Sequence, residues 1–169
     1  MVEHSTVLGS RFLEVRWQDG DLLLSLRRSF DEFPGLKLRR PEARRNARSV
    51  LKSVGELTWS EDDIVVRWDG RMPPTNDVVA ALQDVDLRLD RIAWRPLTSR
   101  LVEEALGIST SERSRWTKDG RLKRSGTDLI RRGQPVGLST YAVTEIAKLM
   151  NEPETIQAWR AADQRAAVG

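Results

Sequence analysis

Cysteine is absent from this sequence of 169 residues, and histidine occurs once, as His4. Without cysteine the chain can form neither a disulfide framework nor a thiolate metal site, which fits a reducing compartment. One histidine near the N-terminus leaves almost no candidate residue for histidine-based acid–base catalysis or metal binding. We therefore expect no metal centre in this protein.

Motifs of nucleotide and nucleophile chemistry are also missing. The sequence has no Walker-type phosphate loop, no dinucleotide glycine fingerprint and no serine nucleophile elbow. Glu61, Asp62 and Asp63 could hold a divalent cation through their oxygens, but three consecutive acids between predicted strands more often form a solvated turn. We predict that the protein is not an enzyme and uses no cofactor.

Long apolar runs do not occur, since the longest covers only a few residues. A transmembrane helix needs about 20 consecutive apolar residues, so we expect no membrane span and no membrane partner. The first four residues, Met1 to His4, lack the basic and apolar regions of a secretory signal. The predicted location is therefore the cytoplasm.

Charge is nearly balanced but unevenly placed, with 28 basic and 25 acidic residues and a net charge of +3. Residues 27–52 hold nine basic and three acidic residues, and residues 113–132 hold eight and two, a local charge of +6 in each. Residues 53–95, between them, hold five basic and nine acidic residues, a local charge of −4. Clustered cations attract phosphate backbones even when the net charge is small.

Residues 11–95 are predicted to form an α+β domain of unknown role. Apolar and charged residues alternate over residues 12–17, and after Asp19-Gly20 an apolar segment follows at residues 22–26. A second pair of apolar segments, residues 57–59 and 64–68, flanks an acidic turn at residues 60–63, so we predict two antiparallel hairpins. Large aromatic side chains can give a small sheet its core. We assign that role to Trp17, Trp59 and Trp68.

A basic helix is predicted between the two hairpins. Residues 33–36 indicate a turn, and Pro41 suits the first position of a helix that ends before Gly55. One face of this helix is apolar, and another carries arginines four residues apart. The arginines either solvate the outer face of a packed helix, which we favour, or form a second phosphate-contacting surface. The residues of this second basic surface are Arg39, Arg40, Arg44, Arg45, Arg48 and Lys52.

A longer helix is predicted after the break at Pro73-Pro74. Apolar residues recur from Val78 to Ile92 at alternating intervals of four and three, which is helical spacing. A strand from Val85 to Leu89 is the competing interpretation. The apolar stripe would also permit helix pairing, so residues 76–94 are a candidate surface for a homodimer or a protein complex.

Residues 97–150 contain a short helix, a glycine turn, a second helix, a basic hairpin and a closing helix. The first helix has an apolar stripe and ends at Gly107, which can adopt the left-handed conformation that closes a helix. Ser109 and Glu112 stand three apart and predict a capping box. That capping box would begin the second helix, residues 110–118.

A basic wing and a closing helix follow the second helix. The Asp119-Gly120 turn leads into residues 121–135, whose glycines and arginines are typical of a two-stranded wing. Ser139 or Thr140 would then cap the closing helix. This part of the chain is thus predicted to have the order helix, turn, helix, wing, helix.

That order resembles the DNA-binding domains of the excisionase and MerR families, whose wing opens on a step like Gly120-Arg121-Leu122. The predicted fold class is therefore α+β, with a small N-terminal hairpin-plus-helix unit followed by a winged helix-turn-helix at residues 97–150. In such a fold the second helix enters the major groove, and the wing contacts phosphates or the minor groove. The residues expected to contact DNA are Thr110, Ser111, Arg113, Ser114, Arg115, Lys118, Arg121, Lys123, Arg124, Arg131 and Arg132.

Two further expectations concern Trp116 and the C-terminal residues. Trp116 is predicted to face inward and to anchor the second helix on its neighbours, and stacking on DNA is the alternative. Residues 151–169 are predicted to form a helix and tail that pack on the winged domain, with an oligomerisation helix as the alternative.

Two functions agree with these features. The first is a bacterial-like DNA-binding protein with double-stranded DNA as its partner, acting as a transcriptional regulator or as the DNA-recognition subunit of a mobile-element or defence complex. The second is a protein-interaction or scaffold subunit of a larger complex, without sequence-specific DNA binding. Fold alone does not decide between them.

Overall fold

The computed structural model describes residues 8–71, 74–132 and 134–168, and for residues 128–132, 134–136 and 168 it describes the backbone alone. The protein is 56% helix and 19% strand, which confirms the predicted α+β class. The chain divides into two compact units, Met1–Ala93 and Trp94–Gly169, called unit 1 and unit 2 below. None of the described helices is long and apolar enough to cross a membrane.

Unit 1 contains a four-stranded antiparallel sheet built from the two predicted hairpins. Asp19 and Gly20 both have positive φ in the first turn, and Glu61 has positive φ in the second. Such two-residue turns match the twist of antiparallel strands, so both hairpin predictions are confirmed. The strands, in the sheet order β1-β2-β4-β3, are β1 (Glu14–Gln18), β2 (Asp21–Ser25), β3 (Glu56–Ser60) and β4 (Asp63–Arg67).

Four helices accompany the sheet in the described part of unit 1. The predicted turn at residues 33–36 is wrong, because Pro34 begins a short helix, as its fixed φ and missing N–H allow at a first helical position. The predicted helices from Pro41 and over residues 76–94 are confirmed. The four are α1 (Arg27–Glu32), α2 (Pro34–Leu38), α3 (Arg40–Leu51) and α4 (Thr75–Trp94), whose last residue lies in unit 2.

The apolar stripe of α4 belongs to the core of unit 1. Val78, Leu82, Val85, Leu89 and Ile92 are all buried in one cluster with the inward side chains of the sheet. The prediction that this stripe pairs protomers is therefore wrong, because its apolar surface is already removed from water within its own unit. Any partner of α4 would have to bind another face of the helix.

The three strand tryptophans differ in burial. Trp59 and Trp68 are partly buried and pack against the core, in agreement with the prediction. Trp17 is 44% exposed, so its assignment to the core is wrong. It lies near the end of the edge strand β1, where only one neighbouring strand can cover it, and it stacks on Trp68 with ring centroids 5.6 Å apart.

Unit 2 combines two helices joined by a tight turn, a three-stranded sheet and two further helices. Its sheet has the order β5-β7-β6, and all pairs are antiparallel. Its strands are β5 (Leu97–Thr98), β6 (Gly126–Arg132) and β7 (Gln134–Tyr141). Its helices are α5 (Ser99–Leu106), α6 (Thr110–Lys118), α7 (Val143–Asn151) and α8 (Pro153–Val168).

Two predicted boundaries in unit 2 are wrong. The hairpin strands begin at Gly126 and not at residue 121, so Arg121 to Arg124 precede the hairpin. Ser139 and Thr140 do not cap a helix, because β5 pairs with Thr140 and Tyr141 and extends the strand. The next helix, α7, begins only at Val143.

Residues close together in the sequence determine where α6 begins. Gly107 is left-handed, with φ 60°, and ends α5, while Ile108 just beyond it is buried. The Ser109 hydroxyl accepts from the Glu112 amide, and the Glu112 carboxylate accepts from the Ser109 amide. The capping box is thus confirmed, and α5 and α6 are joined by a turn of three residues.

Candidate nucleic-acid interface

Helix α6 has one polar, exposed face. Ser111, Ser114, Arg115 and Lys118 are exposed at intervals of three to four, which places them on one side of the helix. Thr110, at its first position, is exposed as well. Five of the predicted DNA-contacting residues therefore lie together on this outward face.

The opposite face of α6 is anchored by Trp116, which is fully buried, as predicted. Its ring meets Trp159 of α8 edge-on, with centroids 5.0 Å apart. Its indole Nε1 donates to Asp163 Oδ2 at 2.8 Å. Edge-to-face packing together with a satisfied indole N–H holds the orientation of α6 against α8.

Arg113 also faces the interior of unit 2, contrary to its predicted role in DNA contact. Its Nε donates to Glu103 Oε1 at 2.7 Å and its Nη1 donates to the Tyr141 hydroxyl at 3.1 Å. Only 14% of its side chain is exposed. Arg113 therefore connects α5, α6 and the end of β7, and its donors serve the fold.

Tyr141 is a residue of this site that the sequence analysis did not identify. It is fully buried at the end of β7, and its hydroxyl also lies 2.9 Å from Thr117 Oγ1. The signal available in the sequence was its status as the only tyrosine of the chain, placed just after the predicted wing. Its role is to close the hairpin onto α6.

Asp163 of α8 binds two of the predicted DNA-contacting arginines. Arg115 Nη2 lies 2.6 Å from Asp163 Oδ2, and Arg121 Nη2 lies 2.7 Å from Asp163 Oδ1. Arg121 also pairs with Asp119 at 2.5 Å, and its guanidinium lies over the Trp116 ring, 5.6 Å from the centroid. Arg121, which was predicted to clamp a phosphate, is therefore held by two carboxylates of its own unit.

The ion pairs shift the pKa values of the groups they join. Hydrogen bonds from Arg121 and Trp116 hold the pKa of Asp163 below its usual value, and those from Arg121 lower the pKa of Asp119. Arg160 of α8 lowers the pKa of Glu112 to about 2, and the Ser109 amide adds to that effect. These carboxylates therefore stay charged near neutral pH and keep their partners bound.

Other predicted cations lie open to solvent. Lys118, Lys123 and Arg124 are exposed, and within the described part of the chain none of them has an ion-pair or hydrogen-bond partner. The side chains of Arg131 and Arg132 lie outside the described residues, although their backbone forms the end of β6. The exposed cations thus lie at the end of α6 and along the segment that leads into the hairpin.

The second basic surface is largely occupied within unit 1. Arg39 is buried and donates to the Ile92 carbonyl, so it is not a surface residue. Arg44 donates to Asp62 Oδ1 through Nε at 3.0 Å and Nη2 at 2.6 Å. Arg40 lies 4.0 Å from the same oxygen, and Arg48 covers the Trp59 ring.

The Asp62 carboxylate explains this arrangement. Asp62 is only 7% exposed, so the prediction of a solvated acidic turn is wrong at this position. A buried carboxylate needs cationic partners, and α3 supplies them. Of the predicted second basic surface, Arg45 and Lys52 stay exposed without a partner in the described part of the chain.

Among the described residues, no group of three or more histidine or carboxylate side chains could hold a metal ion. No family model, no curated protein and no solved structure matches the chain.

Proposed function

We propose that this protein binds double-stranded DNA, with residues 97–150 acting as a winged helix-turn-helix. The exposed face of α6 carries the proposal. That face presents hydroxyl and cationic side chains at helical spacing, while the opposite face is anchored by the buried Trp116. A helix held this way can enter a major groove with its polar side chains directed at base edges.

The elements around α6 support the same proposal. A three-residue turn joins α5 to α6, and a β-hairpin follows after residues 119–125. In helix-turn-helix proteins the first helix crosses the DNA backbone while the second lies in the groove. Here α5 takes the first position, and the hairpin β6–β7 takes the position of the wing.

The proposal assigns different roles to the exposed side chains. Ser111 and Ser114 can donate to or accept from base edges, because a hydroxyl has both capacities. Lys118, Lys123 and Arg124 are assigned to phosphates, which fix the protein on the duplex without reading its sequence. Arg131 and Arg132 are assigned to the wing.

Titration of a labelled random-sequence duplex at several salt concentrations tests the proposal. If about five cations each neutralise one phosphate, the logarithm of the association constant falls against the logarithm of salt with a slope of about −4.5. We expect Lys118→Ala to make that slope shallower by about 1, because it removes one phosphate contact. Arg165→Ala removes an exposed cation of the same unit, on α8, and is the matched control.

An affinity that does not change with salt would refute the proposed DNA binding. Equal effects of Lys118→Ala and Arg165→Ala would mean that net charge, and not α6, determines binding. The proposed biological role is that of a transcriptional regulator or of the DNA-recognition subunit of a mobile-element or defence complex.

A scaffold role without DNA binding is the second candidate. It is favoured by exposed apolar side chains on unit 1, where Trp17 is 44% and Leu87 is 60% exposed. Large exposed apolar residues are frequent at protein interfaces. Sizing of the protein alone and with duplex distinguishes the two, because a scaffold would form protein assemblies that duplex does not change.

A further inference from the structure

Helices α6 and α8 are joined by two ion pairs in matching positions. Arg160 of α8 donates to Glu112 of α6 at 2.7 Å, and three residues later in each helix Arg115 Nη2 lies 2.6 Å from Asp163 Oδ2. The four residues form two charge pairs of opposite direction, since each helix contributes one cation and one anion. The contact thus reaches the face of α6 proposed to enter the groove.

Asp163 has three partners, Trp116, Arg121 and Arg115, and they differ in how strongly their positions depend on its carboxylate. Trp116 is buried, and Arg121 has a second carboxylate in Asp119 and a side chain only 25% exposed. Arg115 has no carboxylate partner other than Asp163 within the described residues, and its side chain is 52% exposed. Arg115 is therefore the donor that would gain most freedom if Asp163 lost its charge.

A phosphate group would have to compete with Asp163 for Arg115. Pairs of a guanidinium with a carboxylate or with a phosphate are similar in kind, so a phosphate can engage Arg115 only by displacing Asp163. A base edge in the groove needs only the donors that the carboxylate leaves unused. The Arg115–Asp163 pair thus suppresses phosphate contacts of Arg115 more than its contacts with base edges.

We propose that Asp163 is a specificity-determining residue, which withholds Arg115 from the phosphates of DNA of arbitrary sequence. This inference rests on the proposed DNA binding. A protein that searches among many non-specific sites gains discrimination when its affinity for them falls. Asp163 has that effect by acting through Arg115, without contacting DNA itself.

The test compares the full-length chain with its Asp163→Asn variant on a random-sequence duplex. Asparagine is nearly isosteric, and its amide oxygen can still accept from the Trp116 indole. We expect the released Arg115 to make one more phosphate contact, which steepens the salt slope by about 1 and tightens binding about three- to tenfold at 0.1 M salt. The gain should disappear in the double variant Asp163→Asn/Arg115→Gln.

Glu112→Gln is the matched control. It also removes one negative charge from the contact between α6 and α8, but a glutamine at this position keeps the capping box. Arg160 also donates to the Gly107 carbonyl at 2.8 Å, so the loss of the Glu112 charge does not release it. We expect the salt slope of this variant to match that of the unaltered protein.

Two results would overturn the inference while leaving DNA binding intact: an unchanged slope in Asp163→Asn, or an equal steepening in Glu112→Gln. If the unaltered protein itself shows no salt-dependent binding to duplex, the proposed DNA binding is refuted instead. If Asp163→Asn does not fold, as judged by circular dichroism, the single variant Arg115→Gln decides. It should leave the salt slope on random duplex unchanged, because Arg115 contacts no phosphate there, and a slope shallower by about 1 would overturn the inference.

Discussion

Glu112 is a single residue with two structural tasks. Its carboxylate closes the capping box on the Ser109 amide and also accepts from Arg160 of α8. Both contacts favour the charged form, which is why the pKa of Glu112 falls to about 2. The start of α6 and its contact with α8 therefore share one carboxylate.

Stability should consequently depend on pH through Glu112. A carboxylate with a lower pKa in the folded than in the unfolded chain stabilises the fold above its unfolded value, and this contribution is lost as pH falls toward about 2. We expect the difference in free energy of unfolding between the unaltered protein and Glu112→Gln to be constant above about pH 5. At pH 3 it should be less than about half of its value at pH 7. Urea unfolding followed by tryptophan fluorescence at pH 7, 5 and 3 measures it.

Glu104→Gln is the control for this prediction. Glu104 is an exposed carboxylate on α5 without a hydrogen-bond or ion-pair partner in the described part of the chain. The substitution should change the free energy of unfolding little at any of the three pH values. A pH-independent difference for Glu112→Gln would contradict the assigned role of its charge.

At the scale of elements, α2 approaches the end of α4 closely at Gly35. A Cβ atom placed on Gly35 of α2 would lie 2.0 Å from the Ala93 carbonyl oxygen of α4. That distance is far inside van der Waals contact, and the obstacle is backbone, which cannot rotate away. Glycine at position 35 therefore permits the two helices to pack.

Gly35→Ala should destabilise unit 1 by about 1–3 kcal/mol, because one of the two helices must move. In an unobstructed helix the same substitution would be stabilising by about 0.5–1 kcal/mol, so the sign of the effect tests the contact. Gly9→Ala is the control, since a Cβ at Gly9 meets nothing within 4 Å. Thermal unfolding of the two variants and the unaltered chain measures both effects, and a stabilised Gly35→Ala would exclude the close approach.

Over the whole molecule, the two units differ in charge. Unit 2 contains thirteen basic and nine acidic residues, a net charge of +4, whereas unit 1 contains fifteen basic and sixteen acidic residues, a net charge of −1. The basic segment of unit 1 is balanced mainly by the acidic residues that follow it in the chain. Attraction for a phosphate backbone should therefore come from unit 2.

This charge distribution predicts which cations affect DNA binding. Changing Arg45 and Lys52 of unit 1 together to glutamine should leave the salt slope on random duplex unaltered. Changing Lys118 and Lys123 of unit 2 together to glutamine removes the same number of exposed cations and should make the slope shallower by about 2. A shallower slope in the unit 1 variant would show that the second basic surface contacts DNA.

Features that depend on neighbours in sequence were predictable from the sequence. The Asp19-Gly20 turn, the capping box of Ser109 and Glu112, and the helical repeat from Val78 to Ile92 all involve residues a few positions apart. Their backbone preferences do not require long-range contacts, so the same elements occur in the folded chain. The α+β class follows from these local patterns, and the inward position of Trp116 follows from its being the one large apolar residue of α6.

The availability of each predicted cation was decided only in the tertiary structure. Arg121 pairs with Asp163, 42 positions away, and Arg44 pairs with Asp62, 18 positions away. No local pattern specifies such partners, because they meet only when helices and hairpins pack together. Composition could therefore locate the basic segments, whereas packing determined that Arg113 and Arg121 support the fold and that Lys118, Lys123 and Arg124 stay open to a ligand.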